Sequence, residues 1–112
     1  MRDKVCALLG FASKAGALRF GAANAIEAVR RRQANSVFFA EDISAKSRKE
    51  IAFYCGKYNV GAFELKGIDM QRLSNAVGKK CGVAALTDEN FKTPLISSLT
   101  SDIRHLESGT RR

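Results

Sequence analysis

Residues 18–24 read Leu-Arg-Phe-Gly-Ala-Ala-Asn, a short segment that turns at Gly21 into a helix. A helix start offers unbonded backbone N–H groups and the positive end of the helix dipole, which suit a phosphate or a base edge. Gly21, Ala22 and Ala23 leave that start bare, so an RNA backbone can approach closely. Asn24 adds an amide that both donates and accepts hydrogen bonds. Lys14 and Arg19 lie nearby in sequence and can neutralise phosphates. The same small residues suit tight helix–sheet packing equally well. Two further segments carry charge at element ends. Glu41 and Asp42 close an apolar run, where they can hold a metal or form a turn that caps the next helix. Adjacent strand residues point to opposite faces, which favours the turn. Lys79 and Lys80 follow Gly78 in a loop, open to water or to a phosphate. Arg30, Arg31 and Arg32 end a helix, where cations are favourable without any ligand, and Glu27 sits one turn before Arg31.

Catalytic sets are missing. The one histidine, His105, falls in a polar tail. There is no Gly-x-Ser-x-Gly elbow, no phosphate loop ending in Gly-Lys-Ser/Thr and no Gly-x-Gly-x-x-Gly. Cys6, Cys55 and Cys81 are odd in number and form no Cys-x-x-Cys pair, so neither a disulfide framework nor a zinc site is expected. Cys6 and Cys55 sit among apolar residues and read as small core residues in a reducing cytosol. We expect no enzyme, no cofactor and no metal.

Nineteen Lys and Arg against eleven Asp and Glu give a net charge of +8 over 112 residues, a strong lean toward polyanions. The excess is spread along the chain, with 10 basic and 5 acidic residues in 1–50 and 9 and 6 in 51–112. No apolar run is long enough for a membrane span, and the N-terminus lacks the pattern of a signal peptide. A cytoplasmic protein that binds nucleic acid rather than membrane is the expectation.

The elements that position these residues follow from periodicity. Val5, Leu8, Leu9 and Ala12 predict a helix over 3–15, with Asp3 as N-cap and Gly16 as its stop. A short strand at 18–20 leads into a second helix with Ala22, Ala25, Ile26 and Val29 inside. Val37 to Ala40 reads as a buried strand. Ser44 caps a third helix with Ile51, Tyr54, Cys55 and Tyr58 on its apolar face. Residues 60–65 form a strand, Asp69 caps a fourth helix between the staple residues Ile68 and Leu73, and that helix ends near Gly78. Residues 82–86 form the last strand. Because Pro94 is costly inside a helix, we expect a turn at 88–92 and a helix from Pro94 to Leu99 with Thr93 as its cap. Strands alternating with helices predict an α/β fold: a three-layer α/β/α sandwich with a mostly parallel four-stranded sheet. One domain spans residues 1–100, and 101–112 form a polar tail.

At these residues the chain resembles the kink-turn-binding ribosomal protein family (the L seven Ae and L thirty e type), especially its small bacterial YlxQ-like branch. The resemblance runs from Val5 to Leu99. It rests on residues 8–16 (LLGFASKAG), Gly21 before the second helix, Ala40 to Asp42 after a hydrophobic strand, Cys55 and residues 58–60. Leu73 to Gly78, residues 84–88 (AALTD) and Phe91 complete it. The resemblance implies a module for kinked or bulged structured RNA, ribosomal RNA included. It implies a site built from Gly21 to Asn24, from Glu41, Asp42 and Ile43, and from the loop with Lys79 and Lys80. The family's best RNA binders carry Gly-Thr-Asn-Glu, then a lysine three residues after the Glu. Here Gly21-Ala22-Ala23-Asn24 stand in that place, and Glu27 occupies the lysine position, where it would repel a phosphate. Those departures support a second reading, a protein-interaction module that kept the fold and lost strong kink-turn binding.

Overall fold

The computed structural model describes residues 2–99. In chain order it holds α1 (Arg2–Lys14), β1 (Leu18–Phe20), α2 (Ala22–Arg30), β2 (Ser36–Ala40), α3 (Ala45–Tyr58), β3 (Gly61–Leu65), α4 (Met70–Val77) and β4 (Val83–Leu86). A fifth helix, α5, covers residues 89–99. The expected polar tail, His105 included, lies outside the described residues.

The helix boundaries sit where the sequence has capping chemistry. Ser44 Oγ accepts from Ser47 N–H at 3.1 Å, and Asp69 Oδ1 from Arg72 N–H at 2.8 Å. α4 stops at Gly78, which takes the left-handed conformation with φ 75°. Asp3 lies in the first turn of α1 rather than at its cap, and its carboxylate meets Arg72 Nη2 at 2.6 Å. Ile68 and Leu73, the staple pair, are both buried.

Alternation along the central strands divides the core. Val37 and Phe39 of β2, with Val83 and Ala85 of β4, face α2 and α3 through Ala25, Ala28, Val29, Ile51 and Cys55. Phe38, Ala40, Ala84 and Leu86 face the other way, onto Val5 and Leu9 of α1, Leu73 and Val77 of α4, and Leu95 of α5. This is the three-layer sandwich. Burial pushes the Cys55 thiol up to about 11, so it stays a neutral, apolar core group. No helix among the described residues is long and apolar enough to cross a membrane.

The sheet is mixed rather than mostly parallel. Its order is β1-β4-β2-β3. β2 and β3 run parallel, while β4 runs antiparallel to both its neighbours, β1 and β2. The cause lies just after α4. Gly78 reverses the chain, and Ser74 Oγ then clasps Cys81, accepting from its N–H at 2.9 Å and donating to its carbonyl at 3.1 Å. The loop is thereby folded back along α4, so β4 begins at the end of the sheet where β3 finished. A parallel strand would have had to enter from the opposite end.

α5 also departs from expectation. It begins at residue 89, after Asp88, whose Oδ1 accepts from Asn90 N–H at 2.9 Å. Pro94 therefore falls inside the helix and not at its start. The proline costs roughly 3 kcal/mol in a helix interior. Against that, Leu95 is fully buried, and Phe91, Ile96 and Leu99 pack on the same cluster. At about 1.5–3 kcal/mol for a fully buried side chain, several such contacts outweigh one proline.

Candidate nucleic-acid interface

β1, β2 and β3 all finish at one pole of the sheet, and the reversed β4 starts there. The three candidate segments are stitched together at this pole, with the loop before α4 as a fourth. Gly21 N–H donates to Val83 O at 2.8 Å, Ala40 N–H to Gly82 O at 2.9 Å, and Glu41 N–H to Ile68 O at 3.0 Å. Had β4 been parallel, the loop before it would lie at the far pole, away from Gly21 and Asp42. The direction of one strand makes the site.

Gly21 has φ 91° and ψ 155°, a conformation that essentially only glycine adopts. A Cβ there would meet nothing within 4 Å, so the approach to this backbone is open. No side chain caps α2, which leaves the N–H groups of Ala22, Ala23 and Asn24 at its bare start. Asn24 is exposed, and its Nδ2 donates to Phe20 O at 2.9 Å. That bond fixes the amide with its oxygen free for another donor. Lys79 Nζ lies 5.7 Å from the centre of the Phe20 ring, joining the third segment to the first. Lys79 and Lys80 are exposed, and among the described residues neither forms an ion pair.

Glu41 and Asp42 brace the pole instead of reaching out from it. Glu41 Oε1 accepts from Gly67 N–H and Asp42 Oδ1 from Met70 N–H, both at 2.8 Å. Asp42 thus caps the start of α4, while Ser44 caps α3. Ile43 is half-buried beneath Gly82. Lys14 and Arg19 stand apart from this group. Lys14 is in the last turn of α1, ahead of β1, and the Arg19 guanidinium turns back to Gly16 O at 3.2 Å and Leu18 O at 3.3 Å. The structure therefore gathers Gly21, Ala22, Ala23, Asn24, Glu41, Asp42, Ile43 and Lys79, with Lys80 next to Lys79 in the exposed loop, and leaves Lys14 and the Arg19 head at the entrance to β1. Sequence reasoning missed Gly82 as part of the site. A Cβ there would sit 2.7 Å from Met70 Sδ and 2.9 Å from Ile43 Cγ2. Its one sequence signal is a glycine immediately before an apolar strand. Among the described residues no cluster of His, Cys, Asp or Glu could hold a metal.

The model of the ribosomal protein L7Ae/L30e/S12e/Gadd45 family matches residues 3–96. The chain belongs to this family. The RNA-binding protein YlxQ of Enterococcus faecium is 31% identical over 90 residues, covering 80% of this chain and 85% of that protein. A protein with unknown function from Bacillus halodurans C matches with a TM-score of 0.78 at 27% identity, over 84% of this chain and 94% of that one. The 15.5kD RNA binding protein of Giardia lamblia shares the fold, with a TM-score of 0.71 at 18% identity over 92% of this chain and 87% of that one.

One departure from the family motif looks different in three dimensions. Glu27 Oε2 is 2.6 Å from Arg31 Nε, and its Oε1 is 3.7 Å from Arg30 Nη1. Two guanidinium groups offset its charge, so its repulsion of a polyanion is largely screened. Glu27→Lys is expected to tighten RNA binding and to steepen its salt dependence by about one unit of log–log slope. Losing both helical pairs and putting like charges one turn apart should together cost roughly 1–2 kcal/mol. Salt titrations and urea unfolding of the variant check both.

Proposed function

We propose that the protein binds structured RNA with this pole and recognises a kinked or bulged helix. The observation that carries the reading is the convergence of the bare start of α2 with the unpaired Lys79 and Lys80, achieved by reversing β4. The major groove of A-form RNA is too narrow to read, so proteins recognise RNA by shape and by bases freed at bulges. A kink presents such bases beside crowded phosphates. In this reading the backbone at Gly21 to Asn24 meets the base edges, with the free Asn24 oxygen accepting from an exocyclic amine. Lys79 and Lys80 meet the phosphates. Lys14 and Arg19 serve an RNA long enough to pass along β1. Glu41, Asp42 and Ile43 hold the middle segment in register. The family and the printed name of the Enterococcus faecium relative support RNA as the ligand, and the screened charge of Glu27 removes one objection to it.

The test is fluorescence anisotropy with a labelled kink-turn RNA and a plain duplex of equal length, each at two salt concentrations. Tighter binding to the kinked RNA is expected. Equal, strongly salt-sensitive binding to both would reduce the site to a basic surface. No binding to either, with a protein partner retained after nuclease treatment, would replace RNA by the protein-interaction reading.

A further inference from the structure

α3 carries an aromatic side chain on the wrong side for a core. Its buried residues, Ile51 and Cys55, face the sheet. At roughly 100° per residue, Lys46, Lys49, Phe53 and Lys57 fall on the opposite side, within an arc of about 80°. Phe53 is 62% exposed, the highest value among the exposed large apolar side chains described. Its ring meets that of Tyr54 edge-on, with centroids 5.1 Å apart and planes at 86°. The contact braces the Phe53 ring against its neighbour on the helix.

The charges around the ring are mainly basic, with Glu50 as the exception one turn before it. Lys46, Lys49 and Lys57 are exposed, and among the described residues none forms an ion pair. Lys57 Nζ lies 5.8 Å from the Tyr58 ring. Glu50 is the single carboxylate of α3 and stands at the edge of the stripe. Arg48 is withdrawn from it, over the Phe39 ring at 5.0 Å and beside Glu64 at 3.5 Å. A solvated lysine face has no use for an exposed phenyl ring, and a docking site for another apolar protein surface would not surround that ring with three unpaired cations. An exposed ring set among cations is a composition that suits single-stranded nucleic acid, where a base stacks on the ring and phosphates meet the lysines.

Position decides where such a strand would come from. α2 and α3 both start at the pole described above, with Ser44 two residues after Asp42. From Lys46 to Lys57 the stripe runs about 16 Å away from that pole. We infer that α3 carries a track for unpaired nucleotides extending from the RNA held at the pole, with Phe53 stacking on a base and Lys46, Lys49 and Lys57 meeting phosphates. This rests on the reading of the pole as an RNA site and extends its footprint along the helix.

The experiment compares a kink-turn RNA with the same RNA carrying an unpaired extension of about four uridines at either strand end. Wild type, Phe53→Ala and the double variant Lys49→Gln/Lys57→Gln are titrated by anisotropy at two salt concentrations. The extension should tighten wild-type binding by about 5- to 150-fold, the range for one stacked base. Phe53→Ala should remove most of that gain, leaving the part due to the lysines, and leave affinity for the blunt RNA unchanged. The lysine double variant should shrink the gain and lower the salt slope by about 1.4, as for two phosphates of a single strand. Because all three side chains are exposed, unchanged urea midpoints will confirm that the variants fold. The track is overturned if wild type binds the blunt RNA but gains nothing from the extension, or if Phe53→Ala keeps the gain. Phe53-dependent binding to phosphatidylserine vesicles without a gain from the extension overturns it in favour of a membrane. If the blunt RNA does not bind at all, the pole reading has failed, and the free uridine oligonucleotide judges the track. Phe53-dependent binding supports it, and no binding overturns it.

Discussion

Phe38→Ala should lower the stability of the fold by about 3–5 kcal/mol, measured by equilibrium unfolding in urea. Phe38 is fully buried at the middle of the sheet, aligned with Ala84 on β4 and Phe63 on β3. Its ring stacks on that of Phe63 with centroids 5.6 Å apart and planes 24° from parallel. Its partner in register on β4 is Ala84, which cannot expand to fill a void. The backbone of β2 cannot collapse either, because it is bonded to a strand on each edge. A domain of this size has a total stability of roughly 5–15 kcal/mol, so this one side chain carries a substantial share of it. A loss below about 1.5 kcal/mol would show that the half-buried Phe63 swings into the space.

Asn24→Ala should weaken binding to kinked RNA by about five- to hundredfold while leaving the fold intact. The two effects have different causes. Alanine has the best helix propensity, which offsets much of the lost hydrogen bond to Phe20 O. Alanine offers no acceptor, however, so an amine of the ligand set to pair with the Asn24 oxygen is left without a partner. An unsatisfied donor of that kind costs about 1–3 kcal/mol. Anisotropy and a thermal melt on the same sample separate the terms. A binding loss accompanied by a falling melting temperature would mean that Asn24 acts only as a helix support.

The helices and strands were legible because their ends carry local chemistry: Gly16, Gly21, Ser44, Asp69 and Gly78 each stop or start an element through their own backbone or side chain. What was not legible depends on partners far along the chain. The direction of β4 is decided by Ser74 clasping Cys81 and by Gly82 fitting under Met70, neither of which leaves a periodic trace. Pro94 was a local penalty weighed without the burial of Leu95 that outweighs it. Glu41 and Asp42 advertise charge at a strand end, but their work is to accept from Gly67 and Met70 across a gap of more than twenty residues. The segments of the pole could be named from sequence and resemblance. That they meet, and that Lys14 and the Arg19 head do not join them, needed the fold.

The reversed β4 also sets an order of events during synthesis. The N–H of Gly21 finds its acceptor on Val83, and that of Ala40 on Gly82. A nascent chain that has emerged only as far as α4 can pack α2 on α3 but lacks the backbone hydrogen bonds that tie Gly21 and Ala40 to the last strand. β1, three residues long, has no neighbour in the sheet except β4 among the described residues. The surface at the pole is thus completed only when the last strand inserts between β1 and β2. An unfinished chain would carry its basic residues without the arrangement that selects a ligand, and selectivity would arrive late, in a single step.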